Sequence, residues 1–280
     1  MKAIQADITT LAVDAIVNAA NGTLPGGGAL AAPKELNGSS WAVVFDVDGT
    51  MVANLPYHQE AWLEYGRRHA LPITADYYRD HIHSRVNSLI VEHLAADFGW
   101  TPPPGGAAGD EKESIYRELY QPHLREVPGV TRLVKELNAR RIPCAAVSNS
   151  PRPNVDMVLS GLGLAQCFQF TLTADGMKRG KPDPYAFLAA ASQLDVPIGR
   201  CIVFEDSVSG FQAAERAGAP YIAVSAGADP SALKHAGRAA GIIDDFMEIT
   251  VDMLAEMACA HELRYRTPSH AEGERTMRLQ

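Results

Sequence analysis

Two aspartates one residue apart, Asp46 and Asp48, close a short apolar run in the segment WAVVFDVDGTMV. The run from Ala42 to Phe45 is β-branched or aromatic in its larger residues and shows no polar alternation. That pattern is typical of a strand covered on both faces in a parallel sheet. Ligands of open α/β sheets bind outside the carboxyl ends of the strands. We therefore expect both carboxylates at the edge of the sheet where a ligand would bind.

Two other interpretations of the Asp-x-Asp-Gly sequence compete with this one. An ordinary turn would account for the aspartates and the glycine together, and this interpretation stays open for the motif taken alone. A calcium-binding EF-hand loop needs glycine at its sixth position and glutamate at its twelfth, where this chain has Met51 and Tyr57. The sequence therefore excludes the calcium loop.

A hydroxyl, a lysine and a second pair of acids follow later in the chain, at Ser148, Lys181, Glu205 and Asp206. The serine and the acids end predicted strands, and the lysine precedes a predicted helix. Taken singly, serines and acids are common helix caps, and most lysines are exposed on the surface. Their joint occurrence in this order, at the carboxyl ends of strands, indicates a single site.

The residue types in this set fit phosphoryl transfer. Converging carboxylates repel one another unless a cation lies among them, and hard oxygen ligands suit Mg²⁺. A magnesium ion, a lysine and a hydroxyl together can hold a dianionic phosphoryl group. One carboxylate can attack phosphorus, while a second acid protonates the leaving oxygen and then activates water.

Helical and strand-like periodicities divide the chain around this site. After the Pro128-Gly129 turn, helical segments alternate with short apolar runs, which predicts an α/β fold with a doubly wound parallel sheet. Residues 57–98 carry helical periodicity throughout and belong to an insertion after the first strand. The predicted parts are an N-terminal segment and linker at 1–37, a core at 38–55 and 127–258, a small helical insertion at 56–126 and a flexible tail at 259–280.

The composition limits the class of protein. A net charge of −8 with 46% hydrophobic residues gives no indication of a nucleic acid or a membrane as partner. No apolar stretch approaches the roughly 20 residues of a spanning helix, and the N-terminus has no signal-peptide pattern. The four cysteines are scattered, and Cys144 and Cys201 lie in apolar runs where we expect them to be buried. We expect a cytoplasmic monomer.

The four motifs together resemble those of the haloacid dehalogenase superfamily of phosphohydrolases and phosphomutases. FDVDGT is similar to its first motif, VSNS to its second, GKPDP to its third and VFEDSVSGFQAA to its fourth. The resemblance spans residues 41–257 and points to the branch that contains β-phosphoglucomutase-like and phosphoglycolate-phosphatase-like enzymes. It implies a Rossmann-like core with a small α-helical cap, Mg²⁺ as the cofactor, and a small phosphorylated metabolite as substrate.

The resemblance also implies roles by position. Asp46 would be the nucleophile, and Asp48 would be the general acid and base, with its backbone carbonyl on the metal. Ser148, helped by the backbone of Asn149, would hydrogen-bond the phosphoryl group, and Lys181 would neutralise the charge of the phosphoryl group and of the nucleophile. The implied metal ligands are Asp46, Asp48, Glu205 and Asp206.

Substrate choice is expected to lie in the cap. LPYHQEAW, with His58, resembles the segment leading into the cap of β-phosphoglucomutase, and HSRVNSLI, with Arg85 and Asn87, resembles its substrate loop. A simple helix start at His58 and a surface charge at Arg85 remain alternatives. The pair Ala53-Asn54 stands where mutases commonly have Asp-Thr, and a glycine before the basic residue is missing. We therefore expect a phosphatase for a sugar phosphate or a phosphoglycolate-like compound, with a phosphomutase as the alternative.

The first residues of the chain carry a second resemblance. Residues 4–30, IQADITTLAVDAIVNAANGTLPGGGAL, are similar to the beginning of a macrodomain, an ADP-ribose-binding fold. A fragment of this size cannot bury a core of its own. We interpret it as a fusion remnant, and a non-catalytic ADP-ribose-binding module remains the less favoured hypothesis.

Overall fold

A computed structural model describes residues 41–82 and 85–266 of the chain; the macrodomain-like segment lies outside the described residues. The framework is a parallel sheet of short strands, which are β1 Ala42–Phe45, β2 Cys144–Val147, β3 Phe170–Leu172, β4 Cys201–Glu205, β5 Tyr221–Val224 and β6 Gly241–Ile243. The strands lie in the order β3-β2-β1-β4-β5-β6, and every neighbouring pair is parallel. The chain thus winds outward from β1 in both directions.

The helices of the described part fall into two groups. Those that follow β1 and precede the alternating part of the chain are α1 Leu55–Arg68, α2 Asn87–Phe98 and α3 Ala107–Tyr120. Between α1 and α2 a single helical turn, Ala75–Tyr77, continues as a short π-helix, Tyr78–Ile82. Those that alternate with or follow strands are α4 Val130–Ala139, α5 Arg152–Gly161, α6 Tyr185–Gln193, α7 Val208–Ala217 and α8 Val251–Arg266. The predicted fold class, a doubly wound parallel sheet with an inserted helical cap, is confirmed. None of the described helices is long and apolar enough to cross a membrane.

Strand β1 is buried on both faces. Val43 and Phe45 belong to one apolar cluster, and Ala42 and Val44 belong to a second cluster on the other face. Because successive strand residues point to opposite faces, this double burial explains why the strand shows no polar alternation. The ring of Phe45 stacks on that of Phe204, with 5.2 Å between centroids, so β1 and β4 are joined by side chains as well as by their backbone.

The sheet order brings the predicted site residues together. Phe45 pairs with Ala146 of β2 on one side and with Phe204 of β4 on the other. The residues just beyond these three strands therefore share one edge of the sheet. Asp46 follows β1, Ser148 follows β2 and Asp206 follows β4.

The structure differs from the sequence predictions in three places. Residues 57–98 are not helical throughout, because α1 ends at Arg68 and Pro72 cannot continue a helix. Strand β6 was not predicted; it is only three residues long. Helix α8 extends to Arg266, so the first part of the predicted flexible tail is helical. Cys144 and Cys201 are buried as predicted, and the proposed domain bounds stay predictions.

Candidate active site

Lys181 lies between two carboxylates at the edge of the sheet. Its Nζ donates to Oδ1 of Asp46 and to Oε1 of Glu205, each at 2.5 Å, and to the carbonyl of Val147 at 3.2 Å. These three acceptors match the three protons of an ammonium group. Burial alone would lower the pKa of Lys181, but the charges of Asp46 and Glu205 raise it well above its ordinary value. Lys181 is therefore a fixed cation in this site.

The backbone of Lys181 is held by the side chain of Asn149. The amide oxygen of Asn149 accepts from the Lys181 N–H at 3.0 Å, and its Nδ2 donates to the Lys181 carbonyl at 3.2 Å. A Cβ at Gly180 would lie 2.8 Å from Oδ1 of Asn149, so this close approach requires glycine. The contact of Asn149 with the phosphoryl group stays a prediction, whereas its bridging of the lysine loop was missed by the sequence analysis.

Three carboxylates form a candidate metal site. Asp46, Glu205 and Asp206 each offer an oxygen within 4.8 Å of the others, and Oδ2 of Asp46 is buried with no hydrogen-bond partner among the described residues. Burial, with the neighbouring acids, raises the pKa of Asp46 to about 8 against the charge of Lys181, and burial raises that of Asp206 well above its ordinary value. A buried orphan oxygen beside converging acids fits a hard divalent cation such as Mg²⁺.

The capacity of these carboxylates to bind a metal is unequal. Oε1 of Glu205 is taken by Lys181, and Oε2 accepts from the N–H of Asp206 and from both the N–H and the hydroxyl of Ser207. Asp206 accepts a hydrogen bond from Thr50, at 3.3 Å. Asp46 and Asp206 consequently have more free acceptor capacity than Glu205, which suits Glu205 to contact through water.

Asp48 has a different environment from Asp46. Its Oδ1 accepts from Nδ2 of Asn54 at 2.6 Å, and its Oδ2 accepts from the hydroxyl of Ser148 at 2.8 Å. Burial opposes ionisation of Asp48, but the neighbouring His58 ring and the hydrogen bond from Asn54 hold its pKa well below the ordinary range. The Asp48 carboxylate therefore lies outside the acidic cluster that could hold a metal.

Asn54 hydrogen-bonds the side chain of Asp48, whereas in the sequence it stood out only as a departure from the mutase pattern. It is fully buried; its Oδ1 accepts from the N–H of Gly49 at 3.1 Å, and its Nδ2 also donates to the hydroxyl of Tyr116 at 2.5 Å. An asparagine just before a helix predicts a cap, yet this side chain makes no capping bond. The position of Asn54 before the helix would have predicted a capping bond, whereas its side chain bonds Asp48, Gly49 and Tyr116 instead.

The predicted cap residues line a cleft of about 670 Å³ above the site, together with Asp46, Asp48 and Lys181. Nε2 of His58 lies 3.8 Å from Oδ1 of Asp48. Asn87 donates to Oε1 of Glu113 at 2.7 Å. Arg85 is exposed, with Nη1 2.9 Å from Nδ1 of His93. Substrate binding by these residues stays a prediction.

Gly49 provides a test of the metal site. Its φ is +85°, and a Cβ there would overlap the carboxylate of Asp206. Gly49→Ala should cost about 1–2 kcal/mol of unfolding free energy, as left-handed backbone does for a non-glycine residue, and should raise the Mg²⁺ concentration needed for half-maximal activity. Gly163→Ala is the matched control, because its φ is +67° and nothing lies near the added Cβ. An unchanged Mg²⁺ requirement in Gly49→Ala would contradict a metal-binding role for Asp206.

Comparison with known proteins gives consistent matches. Residues 42–218 match the family model of the haloacid dehalogenase-like hydrolases. Validoxylamine A 7'-phosphate phosphatase of Streptomyces hygroscopicus subsp. limoneus is 31% identical over 194 residues, covering 69% of this chain and 89% of its own. Hexitol phosphatase A of Escherichia coli strain K12 is 32% identical over 188 residues, covering 66% and 83%. A family IA variant 3 HAD hydrolase from Entamoeba histolytica superposes with a TM-score of 0.69 at 27% identity, covering 78% and 99%.

Proposed function

Because the chain belongs to the haloacid dehalogenase-like hydrolases, we propose that it hydrolyses the phosphomonoester of a sugar or similar small metabolite through a phosphorylated Asp46. The observation that carries this proposal is the environment of Asp46: one oxygen accepts from Lys181, and the other has no hydrogen-bond partner within the described part of the chain. Two relatives above 30% identity, named as phosphatases for validoxylamine A 7'-phosphate and for hexitol phosphates, support this substrate class.

In the first half-reaction the ionised carboxylate of Asp46 attacks phosphorus through one of its oxygens. Burial favours the protonated form of Asp46, whereas Lys181 favours the ionised form, and a bound cation would favour it further. The bond between phosphorus and the leaving oxygen breaks, and that oxygen takes a proton from Asp48. Because the pKa of Asp48 is lowered, its carboxylate must first take up a proton from the solvent as the substrate binds. A phosphate group arriving beside it favours this, because like charges disfavour ionisation. In the free protein the hydroxyl of Ser148 donates its one proton to Asp48, at 2.8 Å; once Asp48 is protonated, this proton becomes available to a phosphoryl oxygen.

In the second half-reaction a water molecule attacks the phosphorus of the aspartyl phosphate. Asp48 takes a proton from this water, the bond between phosphorus and Asp46 breaks, and inorganic phosphate leaves. Lys181 balances charge in both halves, because its ammonium group contacts the carboxylate that is phosphorylated.

The metal supplies Lewis-acid neutralisation of the phosphoryl charge when it is bound. Asp46 and Asp206 would hold it directly, and Glu205 directly or through water. The backbone carbonyl of Asp48 is the further ligand that the family resemblance implies.

Magnesium dependence is the direct test of this function. With p-nitrophenyl phosphate and a panel of sugar phosphates, we expect turnover at millimolar Mg²⁺ and a loss of about 10²-fold or more in EDTA, the usual scale for removing one electrostatic stabiliser. Restored Mg²⁺ should return the activity. Equal rates in EDTA would contradict the metal role, and no hydrolysis of any substrate would contradict the enzyme assignment.

A phosphomutase is the second candidate, and the position of His58 beside Asp48 favours it. A mutase would return the phosphoryl group to another hydroxyl of the sugar instead of passing it to water. Release of inorganic phosphate, measured against formation of an isomeric sugar phosphate, separates the two. Stoichiometric phosphate release with no isomer supports the phosphatase.

A further inference from the structure

Lys112 and Glu113 form a buried ion pair in the wall of the cleft. Their side chains are only 4% and 8% exposed, and Nζ lies 2.9 Å from Oε1. Burial alone would raise the pKa of Glu113, but the charge of Lys112, with His58 and Asn87, lowers it to about 2. Both groups line the cleft, so a bound leaving group meets a charge pair that is already neutralised.

Glu113 is held from three parts of the chain. Its Oε1 accepts from Lys112 and from Asn87 of α2, and its Oε2 accepts from Nδ2 of Asn154 at 2.7 Å. Asn154 belongs to α5, outside the helical insertion, and is itself fully buried. The carboxylate is therefore fixed in place, and its negative charge cannot turn away from the cleft without breaking these bonds.

The remaining charges of the cleft do not favour a second anion. Beyond the reacting end, the described lining residues contribute two cations and three acids, which are Arg85, Lys112, Glu92, Asp110 and Glu113. Arg85 is exposed to solvent, and Lys112 is neutralised by Glu113. A carboxylate or second phosphate on the leaving group would be buried beside Glu113 without a cation of its own, which is costly.

The same pair has unused hydrogen-bonding capacity. Nζ of Lys112 has three protons and donates to His58 and Glu113, and Oε2 of Glu113 accepts one bond, from Asn154. Among the described residues, one proton of Lys112 and one acceptor position of Glu113 therefore have no hydrogen-bond partner, and Nζ lies 5.7 Å from the centroid of the Trp62 ring. A hydroxyl group both donates and accepts, so it matches this pair.

We propose that the enzyme selects monophosphates whose leaving group is an uncharged polyol or sugar, and that Glu113, by neutralising Lys112, removes the buried cation that a carboxylate or a second phosphate on the leaving group would need. This inference rests on the proposed function and chooses between the two substrate classes that the sequence left open. It favours sugar phosphates over phosphoglycolate-like compounds.

Glucitol 6-phosphate and 6-phosphogluconate provide a matched test, because they differ only in a terminal alcohol or carboxylate. We expect the wild-type kcat/KM to be at least about tenfold higher for glucitol 6-phosphate. In Glu113→Gln this preference should fall at least about tenfold, because Lys112 is left as an unneutralised cation. Glu118→Gln is the control: it makes the same charge change on α3 at a side chain that is 63% exposed, and should leave the preference unchanged.

A second variant guards against misfolding of Glu113→Gln. The double variant Lys112→Met/Glu113→Gln removes both charges, leaves no buried ion without a partner, and should retain the wild-type preference for glucitol 6-phosphate. Equal kcat/KM values for both compounds in the wild type, or a Glu113→Gln protein with normal thermal stability and unchanged preference, would overturn the inference while the phosphatase assignment stands. Failure to hydrolyse these compounds and p-nitrophenyl phosphate would instead overturn the proposed function.

Discussion

Asp46→Asn is expected to lower kcat for every phosphomonoester by about 10⁴-fold or more, on the scale seen when a covalent nucleophile is removed. An amide does not form the phosphorylated intermediate, because its nitrogen and oxygen lack the charge of a carboxylate. The measurement is kcat at saturating substrate and Mg²⁺. Asp156→Asn is the matched control, because Asp156 is an exposed partner of Arg152 on α5.

The Asp46→Asn protein should remain folded. Asparagine has nearly the same shape as aspartate and keeps an oxygen that accepts from Lys181. Lys181 also keeps its ion pair with Glu205, and one charge is removed from a group of three buried acids. We therefore expect a thermal midpoint in EDTA equal to or above that of the wild type. Activity within tenfold of the wild type, with the midpoint preserved, would remove Asp46 from the nucleophile role.

Asp48→Asn and Asp206→Asn should both reduce turnover but respond oppositely to Mg²⁺. Asp48→Asn should lose about 10²- to 10⁴-fold, the usual range for general acid–base catalysis, and added Mg²⁺ should not restore it. The Asp48 side chain is bonded to Asn54 and Ser148. Asp206 lies in the acidic cluster, so its loss should weaken metal binding and be partly rescued at higher Mg²⁺.

The measurement is kcat as a function of Mg²⁺ concentration for both variants. If only Asp206→Asn needs a higher Mg²⁺ concentration for half-maximal kcat, Asp206 binds the metal and Asp48 acts as the acid and base. If Asp48→Asn is rescued and Asp206→Asn is not, the acid–base and metal assignments of these two aspartates must be exchanged.

The strand-end residues could be predicted from the sequence because their positions depend on a regular rule. The apolar composition of a buried parallel strand makes it recognisable in the sequence. The residues that follow its carboxyl end then lie at the edge of the sheet where ligands bind. Asp46 and Asp206 needed only this rule to be placed at the same edge of the sheet. The rule gives no partner, however, and the pairing of Lys181 with Glu205 emerged only from the folded chain.

The buried ion pair of the helical insertion could not be predicted in the same way. Lys112 and Glu113 lie in a charged stretch of α3. Because charged residues are seldom fully buried, such a stretch predicts a solvent-exposed helix face. Their burial depends on how α3 packs against α1 and on Asn154, which is distant in sequence. Short-range periodicity does not contain that information. The break of the predicted long helix at Pro72, by contrast, had a local signal that was overlooked.

The backbone of Lys181 is held by two hydrogen bonds with the side chain of Asn149. Local unfolding should therefore release Lys181 more easily than Asp46 and Glu205. Asp46 and Glu205 continue or end central strands, whose amides are released only when the whole sheet unfolds. Lys181 lies in a loop outside the regular elements, and its backbone is fastened by a single side chain. A low concentration of denaturant should therefore abolish turnover while the amide hydrogens of the central strands still exchange slowly. Substitutions in the loop that carries Lys181 should therefore change the turnover rate with little effect on the free energy of unfolding of the whole domain.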